Sequence, residues 1–185
     1  MVEKFKSPKE SFVMISELML PSHSNFNGKI HGGYILNLMD QIAFACASKH
    51  SGYYCVTASV DNVDFLTPID VGDLVTLRAS VDYIGTTSMI VGIRVDSENI
   101  KTGEKKHCNS SYFTMVAKSK DNQSVEVPGL ILESEIEIKR FVRGMTHRQF
   151  KMTYNKEFKT IDFKDQELID TLKKYRVKIA LPSNS

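Results

Sequence analysis

The stretch NFNGKIHGGYILNLMDQ, Asn25–Gln41, sets two adjacent glycines against an apolar run that holds a single carboxylate, Asp40. From Gly33 to about Lys49 there is no proline and no β-branched run, which predicts a helix about 25 Å long. Ile35, Leu38, Met39, Ile42 and Cys46 fall on one side of it, and Leu36, Ala43 and Ala47 widen that face beyond an ordinary surface stripe. A helix with so broad an apolar face is expected to be wrapped by other elements.

The sequence on either side of this helix is extended. Upstream, SFVMISELML is short and rich in β-compatible residues and stops at the turn-forming PSHSN. Downstream, CVTASVDNVDFLTPI alternates until Pro68, DLVTLRASVDYI until Gly85, and TSMIVGIRVDSE until the turn around KTGEK; KHCNSSYFTMVAKS is the last long strand. The links GTT and ENIKTG have hairpin length, so the strands they join are expected to pair antiparallel in sequence order. One buried helix against a long antiparallel sheet is an α+β arrangement.

The 185 residues, 42% of them hydrophobic, suffice for one well-buried core and are short for two ordinary domains. Charge divides the chain unevenly. Residues 139–185 hold twelve Lys and Arg against five Asp and Glu, a net +7, which leaves −5 for residues 1–138 of a chain whose total is +2. The expected organisation is therefore a main domain over 1–138 and a basic, partly helical extension over 139–185. Within the extension, DQELIDTLKKYRVKI places Leu168, Ile169, Leu172 and Tyr175 at helical spacing. Its charge suits the phosphates of a ligand, an anionic membrane surface, RNA, or simple solvation; basic and aromatic residues do not alternate there in a nucleic-acid pattern, so no nucleic-acid partner is expected. Cys46, Cys55 and Cys108 are odd in number and lack CxxC spacing, which argues against a disulfide framework and a zinc site and favours a reducing compartment. The charged N-terminus lacks the apolar core of a signal peptide, and no run approaches the roughly 18 apolar residues of a membrane span, so a cytoplasmic protein is expected.

The chemistry in the opening stretch stays ambiguous on spacing alone. Gly32 and Gly33 either permit a tight helix entry or let a ligand approach the unpaired N–H groups of a helix start. Asp40 lies near Asn37, Gln41 and Ser48, either as the solvated edge of the helix or as an acid at the margin of a wrapped helix, needing a partner or a task. His31 is an acid–base candidate or an incidental loop residue. His107 and Cys108, adjacent in a strand, point to opposite faces and cannot pair with each other. GxSxG, HExxH, Walker and GxGxxG motifs are absent.

SNFNGKIHGGYILNLMD, followed by VTASVDNVDFLTPIDVGDLV and GTTSM, resembles the hotdog-fold acyl-CoA thioesterases, in particular their cytosolic acyl-CoA hydrolase branch. The resemblance covers roughly Phe12 to Ala117. It implies a central helix wrapped by a curled antiparallel sheet and hydrolysis of fatty acyl-CoA to free fatty acid and coenzyme A, with no cofactor beyond the coenzyme A of the substrate. It implies Asp40 as general base or nucleophile, Asn25 as the residue that orients water and thioester, and the Gly33 amide facing the thioester oxygen. His31, Gly32, Ser59, Val60, Asp61, Asn62 and the turn Gly85, Thr86, Thr87 and Ser88 become binding candidates bordering the pantetheine tunnel. It also implies a homodimer, with Asn25 and Asp40 contributed by different subunits, assembled further into a tetramer or hexamer. A non-catalytic acyl-CoA sensor and a hotdog hydratase or dehydratase are the alternatives; the first expects a DNA-binding segment ahead of the domain and the second a histidine–acid motif that His31 does not complete.

Overall fold

The computed structural model describes residues 4–172 and 174–179. Its centre is the helix expected from the glycine pair, α2 (Gly32–Ser51), which follows a strand pair element β1 (Phe5–Lys6), a single-turn helix α1 (Pro8–Ser11), β2 (Val13–Leu18) and a 3-10 turn at Pro21–His23. After α2 come β3 (Tyr54–Val60), β4 (Asp73–Ile84), β5 (Ser88–Asn99), β6 (Lys105–Lys118), β7 (Gly129–Leu130), α3 (Glu135–Phe158) and α4 (Gln166–Leu172). Every residue of the predicted apolar face of α2 is buried except Leu36, which is half-buried against the same core. Gly52, in the left-handed conformation at φ 75°, terminates the helix and donates its N–H to the Ser48 carbonyl.

The large sheet is antiparallel, in the order β2-β4-β5-β6-β3. The hairpin links GTT and ENIKTG join β4 to β5 and β5 to β6 as their length predicts. Val75, Leu77, Ala79 and Val81 of β4, Met89, Val91 and Val95 of β5, and Phe113, Met115 and Ala117 of β6 face the helix. Burying each of these side chains other than the two alanines contributes about 1.5–3 kcal/mol. This is the wrapped helix of the hotdog arrangement. β2 and β3 close the two edges, so β3 has one unpaired side.

Two stretches differ from the sequence reading. β3 stops at Val60 instead of running to Pro68. Beyond it the backbone is held by side chains in place of a ladder: Ser111 Oγ donates to the Asp61 carbonyl, and Asn109 Nδ2 donates to that of Asp64. The C-terminal helix is shorter than its spacing suggests. α4 ends at Leu172, leaving Tyr175 exposed outside it, and Lys173 lies outside the described residues. The long helix of the region is α3, whose apolar residues Ile136, Ile138, Val142, Met145 and Phe150 are exposed and spread over several faces, so no stripe announces it.

The chain divides into two compact units, Met1–Met145 and Thr146–Ser185, and α3 runs through the division. In the first unit, α3 is seated at Gly144: a Cβ there would stand 2.7 Å from the Tyr83 Cβ, and Phe141 packs against the Tyr83 ring at 5.1 Å between centroids. The second unit is held locally by Phe158, whose ring lies 6.0 Å from Tyr154 and 5.7 Å from Phe163.

Candidate active site

The loop before α2 is folded around one carboxamide. Asn25 Oδ1 accepts the N–H of Asn27 at 2.9 Å and that of Lys29 at 3.2 Å, while its own N–H donates to the Lys29 carbonyl. Gly28, at φ 72°, completes the reversal. Two backbone donors fix the orientation of the side chain, because only the oxygen can accept them. The Nδ2 group carries no acceptor among the described residues and remains a donor. The loop is then pinned to the rest of the domain by the Ile30 N–H on the Ile69 carbonyl, the His31 N–H on the His23 carbonyl and the ion pair of Lys29 with Asp70.

His31 is the N-cap of α2. Its Nδ1 accepts the Gly33 N–H at 2.9 Å and its carbonyl accepts that of Tyr34. The Gly33 amide, the expected oxyanion donor, is thus engaged by a neighbouring ring, whereas the Gly32 amide has no acceptor among the described residues. The glycines also answer to close packing. A Cβ at Gly32 would stand 3.0 Å from the Phe65 ring, and one at Gly33 would stand 2.9 Å from the His31 ring. Neither has a positive φ, so what they provide is room close to the backbone and not an unusual backbone conformation.

Asp40 lies a little over two turns along α2, exposed, where the helix meets β3. Thr57 Oγ1 donates to its Oδ1 at 2.6 Å. The bond engages one carboxylate oxygen, Oδ1, and Asp40 lines an open groove of about 580 Å³ together with Gln41, Phe44, Tyr54, Cys55, Val56 and Thr57. No hydrogen bond joins Asn25 to Asp40 within the chain among the described residues. Thr57 escaped the sequence reading, which began its binding segment two residues later at Ser59. Its signal is a hydroxyl at a helix-facing position of an otherwise apolar stretch.

A register shift between Thr57 and Ser59 changes what the neighbouring candidates do. Cys55 and Thr57 pair with Ala117 and Met115, on the helix side; after the shift Ser59 pairs with the outward Thr114, and Val60 with the core residue Phe113. Ser59 therefore faces away from Asp40 and Val60 faces toward the helix side. Asp61 continues along β6 through its N–H on the Tyr112 carbonyl, and Asn62 is exposed. At the turn, the Gly85 N–H donates to the Ser88 carbonyl, while the carbonyls of Thr86 and Thr87 accept from Val127 and Ala117. Ser88 pairs with Val116, which pairs with Val56, so the turn lies two strand spacings, about 10 Å, from the groove.

The other candidate groups are accounted for structurally. Burial pushes the Cys46 thiol up to about 12, with the charge of Asp82 adding to it, and burial also raises Cys55, so neither is a thiolate nucleophile at neutral pH. Cys108 is buried while His107 bonds to Asp96 on the other face, as their adjacency requires. Among the described residues no group of three or more His, Cys, Asp and Glu could hold a metal ion, and no helix is long and apolar enough to cross a membrane.

Comparison with known proteins places this geometry among relatives. The model of the thioesterase superfamily matches residues 27–104. An uncharacterised acyl-CoA thioester hydrolase of Bacillus subtilis, YkhA, is 38% identical over 130 residues, covering 70% of this chain and 76% of that protein. An apo-hexameric acyl-CoA thioesterase superposes with a TM-score of 0.80 at 33% identity, over 82% of this chain and 97% of that one. The Staphylococcus aureus acyl-CoA hydrolase, solved with butyryl coenzyme A, coenzyme A and coenzyme A disulfide, superposes with a TM-score of 0.77 at 30% identity, over 91% of this chain and 99% of that one. Variants of that enzyme with one asparagine, one aspartate or one threonine replaced by alanine have also been solved.

Proposed function

The chain belongs to the thioesterase superfamily and is an acyl-CoA thioester hydrolase, and from that premise we propose that it cleaves fatty acyl-CoA to free fatty acid and coenzyme A, with Asp40, Thr57 and Asn25 as its working side chains. The observation that carries the assignment is the Asp40–Thr57 hydrogen bond facing an open groove. Support comes from intervals along the chain. The three residues replaced by alanine in the Staphylococcus aureus enzyme are spaced as Asn25, Asp40 and Thr57 are here, fifteen and then seventeen positions apart.

In this reading Asp40 Oδ2 takes the proton of a water attacking the thioester carbonyl, or attacks that carbon itself, while Thr57 keeps the carboxylate in one orientation. General-base assistance of this kind contributes about 10²–10⁴ in rate. The developing oxyanion is met by the Asn25 Nδ2 donors and by the N–H groups at the start of α2, each such donor contributing about 10²–10³. The thiolate leaves without an acid. With Asn25 and Asp40 unjoined in one chain and β3 offering an unpaired edge beside exposed Phe44, Tyr54 and Phe65, the complete site belongs to a homodimer, two subunits each supplying one residue. The dimers assemble further, as hexamers do in the superposed thioesterase. The binding candidates are then Val60 on the helix side of β3, Asn62 just beyond it, Gly32 at the start of α2 and the turn Gly85–Ser88. Three free, buried cysteines suit the cytoplasm.

Free-thiol release from a panel of acyl-CoA chain lengths tests the proposal directly. Hydrolysis is expected for the wild type, and Asp40→Asn should keep its fold and its binding of coenzyme A while losing at least about a hundredfold in turnover. Near-normal turnover by that variant removes Asp40 from the mechanism, and no release from any acyl-CoA leaves a binding role only.

A further inference from the structure

The face of the large sheet turned away from α2 carries a second recess, of about 240 Å³, lined by Arg78, Ser80, Asp82, Gly92, Arg94 and Ser110, with Phe12, Arg140 and Arg143 at its rim. It is unlike the groove at Asp40. On β4, Arg78, Ser80 and Asp82 alternate with the core residues Leu77, Ala79 and Val81, so their side chains point outward. The ladder then sets Arg78 beside Arg94 and Ser80 beside Gly92, in register with Ser110 and Tyr112 of β6. Gly92 has a specific reason to be glycine: a Cβ there would overlap the Asp82 carboxylate, which lies across it.

The charges do not cancel. Arg78 and Arg94 are tied to Asp96, at 2.7 Å and 2.9 Å, and Asp96 also takes His107 at 3.1 Å. Asp82 is buried, accepts the Ser80 hydroxyl at 2.6 Å, and faces the charges of Arg140 and Arg143. With Asp82 and Asp96 set against four arginines, and Glu137 beside Arg140 in the adjoining recess, one positive charge remains. Arg140 and Arg143, three residues apart on α3, share one side of that helix and make no hydrogen bond among the described residues. Guanidinium groups with free N–H donors at the mouth of a polar recess match the oxygens of a phosphoryl group, which they bind in bidentate fashion.

We infer that this recess is a binding site for a phosphate-bearing anion, a phosphomonoester or diphosphate, gripped by Arg140 and Arg143 over a floor of Arg78, Arg94 and Ser110. The volume suits the charged end of a ligand and not a whole coenzyme A. Two sources offer that chemistry: the phosphorylated end of an acyl-CoA held in the active site of a neighbouring subunit, and a separate phosphorylated metabolite. The first rests on the acyl-CoA hydrolase reading and the second does not.

Isothermal titration of the full-length protein with pyrophosphate at low ionic strength tests the site without any hydrolysis, so its failure is separable from failure of the proposed reaction. Saturable binding is expected, one ion per chain. Arg140→Gln with Arg143→Gln should weaken it about tenfold or more, and Ser110→Phe, which fills the recess without altering its charge, should do the same. Lys101→Gln with Lys120→Gln, removing two exposed loop charges elsewhere, should leave it unchanged. If the anion is part of the substrate, pyrophosphate competes with acyl-CoA and the double arginine variant raises KM at constant kcat. If it is a separate metabolite, pyrophosphate binds equally well to enzyme saturated with coenzyme A and KM stays put. Either pattern supports the site. No binding to the wild type, or equal binding by the arginine and Ser110 variants, overturns it.

Discussion

Asn25→Asp separates what the Asn25 side chain does for the loop from what it does for the reaction. In the structure the carboxamide oxygen holds two backbone N–H groups, at 2.9 Å and 3.2 Å, and the nitrogen donates outward. An aspartate keeps an acceptor of the same shape, so the turn through Gly28 should persist and the unfolding temperature should stay within a few degrees. What it removes is a donor, and it adds a negative charge where the thioester oxygen becomes negative. The loss of one oxyanion donor is about 2.7–4 kcal/mol, or 10²–10³ in kcat, and the added charge pushes the effect toward the upper end. Asn25→Ala removes both functions. It should lose similar activity and in addition about 1 kcal/mol of stability from two backbone donors left to solvent, one of them half-buried. For a chain of this size that corresponds to about 2–4 °C. Free-thiol release gives kcat and thermal unfolding followed by circular dichroism gives the stability. Asn25→Asp that turns over within a few-fold of wild type, or that melts as early as Asn25→Ala, refutes the division of labour between oxygen and nitrogen.

Three further outcomes follow from the same geometry. Thr57→Val removes the hydroxyl that orients Asp40 with little change of shape, and should lower kcat about tenfold or more with KM little altered; unchanged kcat would make the contact incidental. His31→Ala costs about 0.5–2 kcal/mol as a lost N-cap and frees the Gly33 N–H, so turnover should hold or rise while the melting temperature falls, and a hundredfold fall in kcat would instead give the ring a chemical part. His50 is buried, with Nε2 against the Pro128 carbonyl at 3.0 Å, and burial lowers its pKa, offset in part by the Pro128 hydrogen bond and reinforced by the repulsion of Lys6. The unfolded chain therefore takes up the proton first: this contribution to stability is whole above about pH 6.5 and is lost as the pH falls below that toward the folded value. His50→Gln should flatten that limb of the stability–pH curve, and an unchanged limb would discharge His50 from it.

What the sequence made legible was local. The broad apolar face from Ile35 to Ala47 needed only helical periodicity, and the hairpin links marked themselves by length. The residues that resisted depend on partners far along the chain. Thr57 acquires its role from Asp40, seventeen residues away on another element. The parallel pairing of β1 with β7 joins Phe5 to Gly129, which no window of sequence reveals. β3 was read past its end because the alternation of its residues continues after Ser111 and Asn109 have replaced the ladder with side-chain bonds. α3 was missed because its apolar residues answer to Tyr83 and to several faces at once instead of to one stripe. Gly32 and Gly33 are open in the sequence to a tight helix entry or to a ligand's approach, and what no window of sequence shows is that a Cβ at either would crowd the ring of Phe65 or of His31.

The register shift in β3 works like a reading frame. Upstream of it odd-numbered residues look at the helix, and downstream even-numbered ones do, so the one unpaired residue, Ala58, sets the phase of everything that follows. Deleting Ala58 would close the bulge and leave Thr57, Ser59 and Val60 on their present partners, whereas drawing Ala58 into the ladder opposite Thr114 would turn Ser59 to the position of Val60 and exchange a methyl-rich wall for a hydroxyl along the groove. Point substitutions repaint individual positions of that wall, whereas gaining or flattening a bulge rewrites it whole. The bulge at Ala58 is thus a route by which chains of this architecture can change what they admit while the acid and its threonine stay in place.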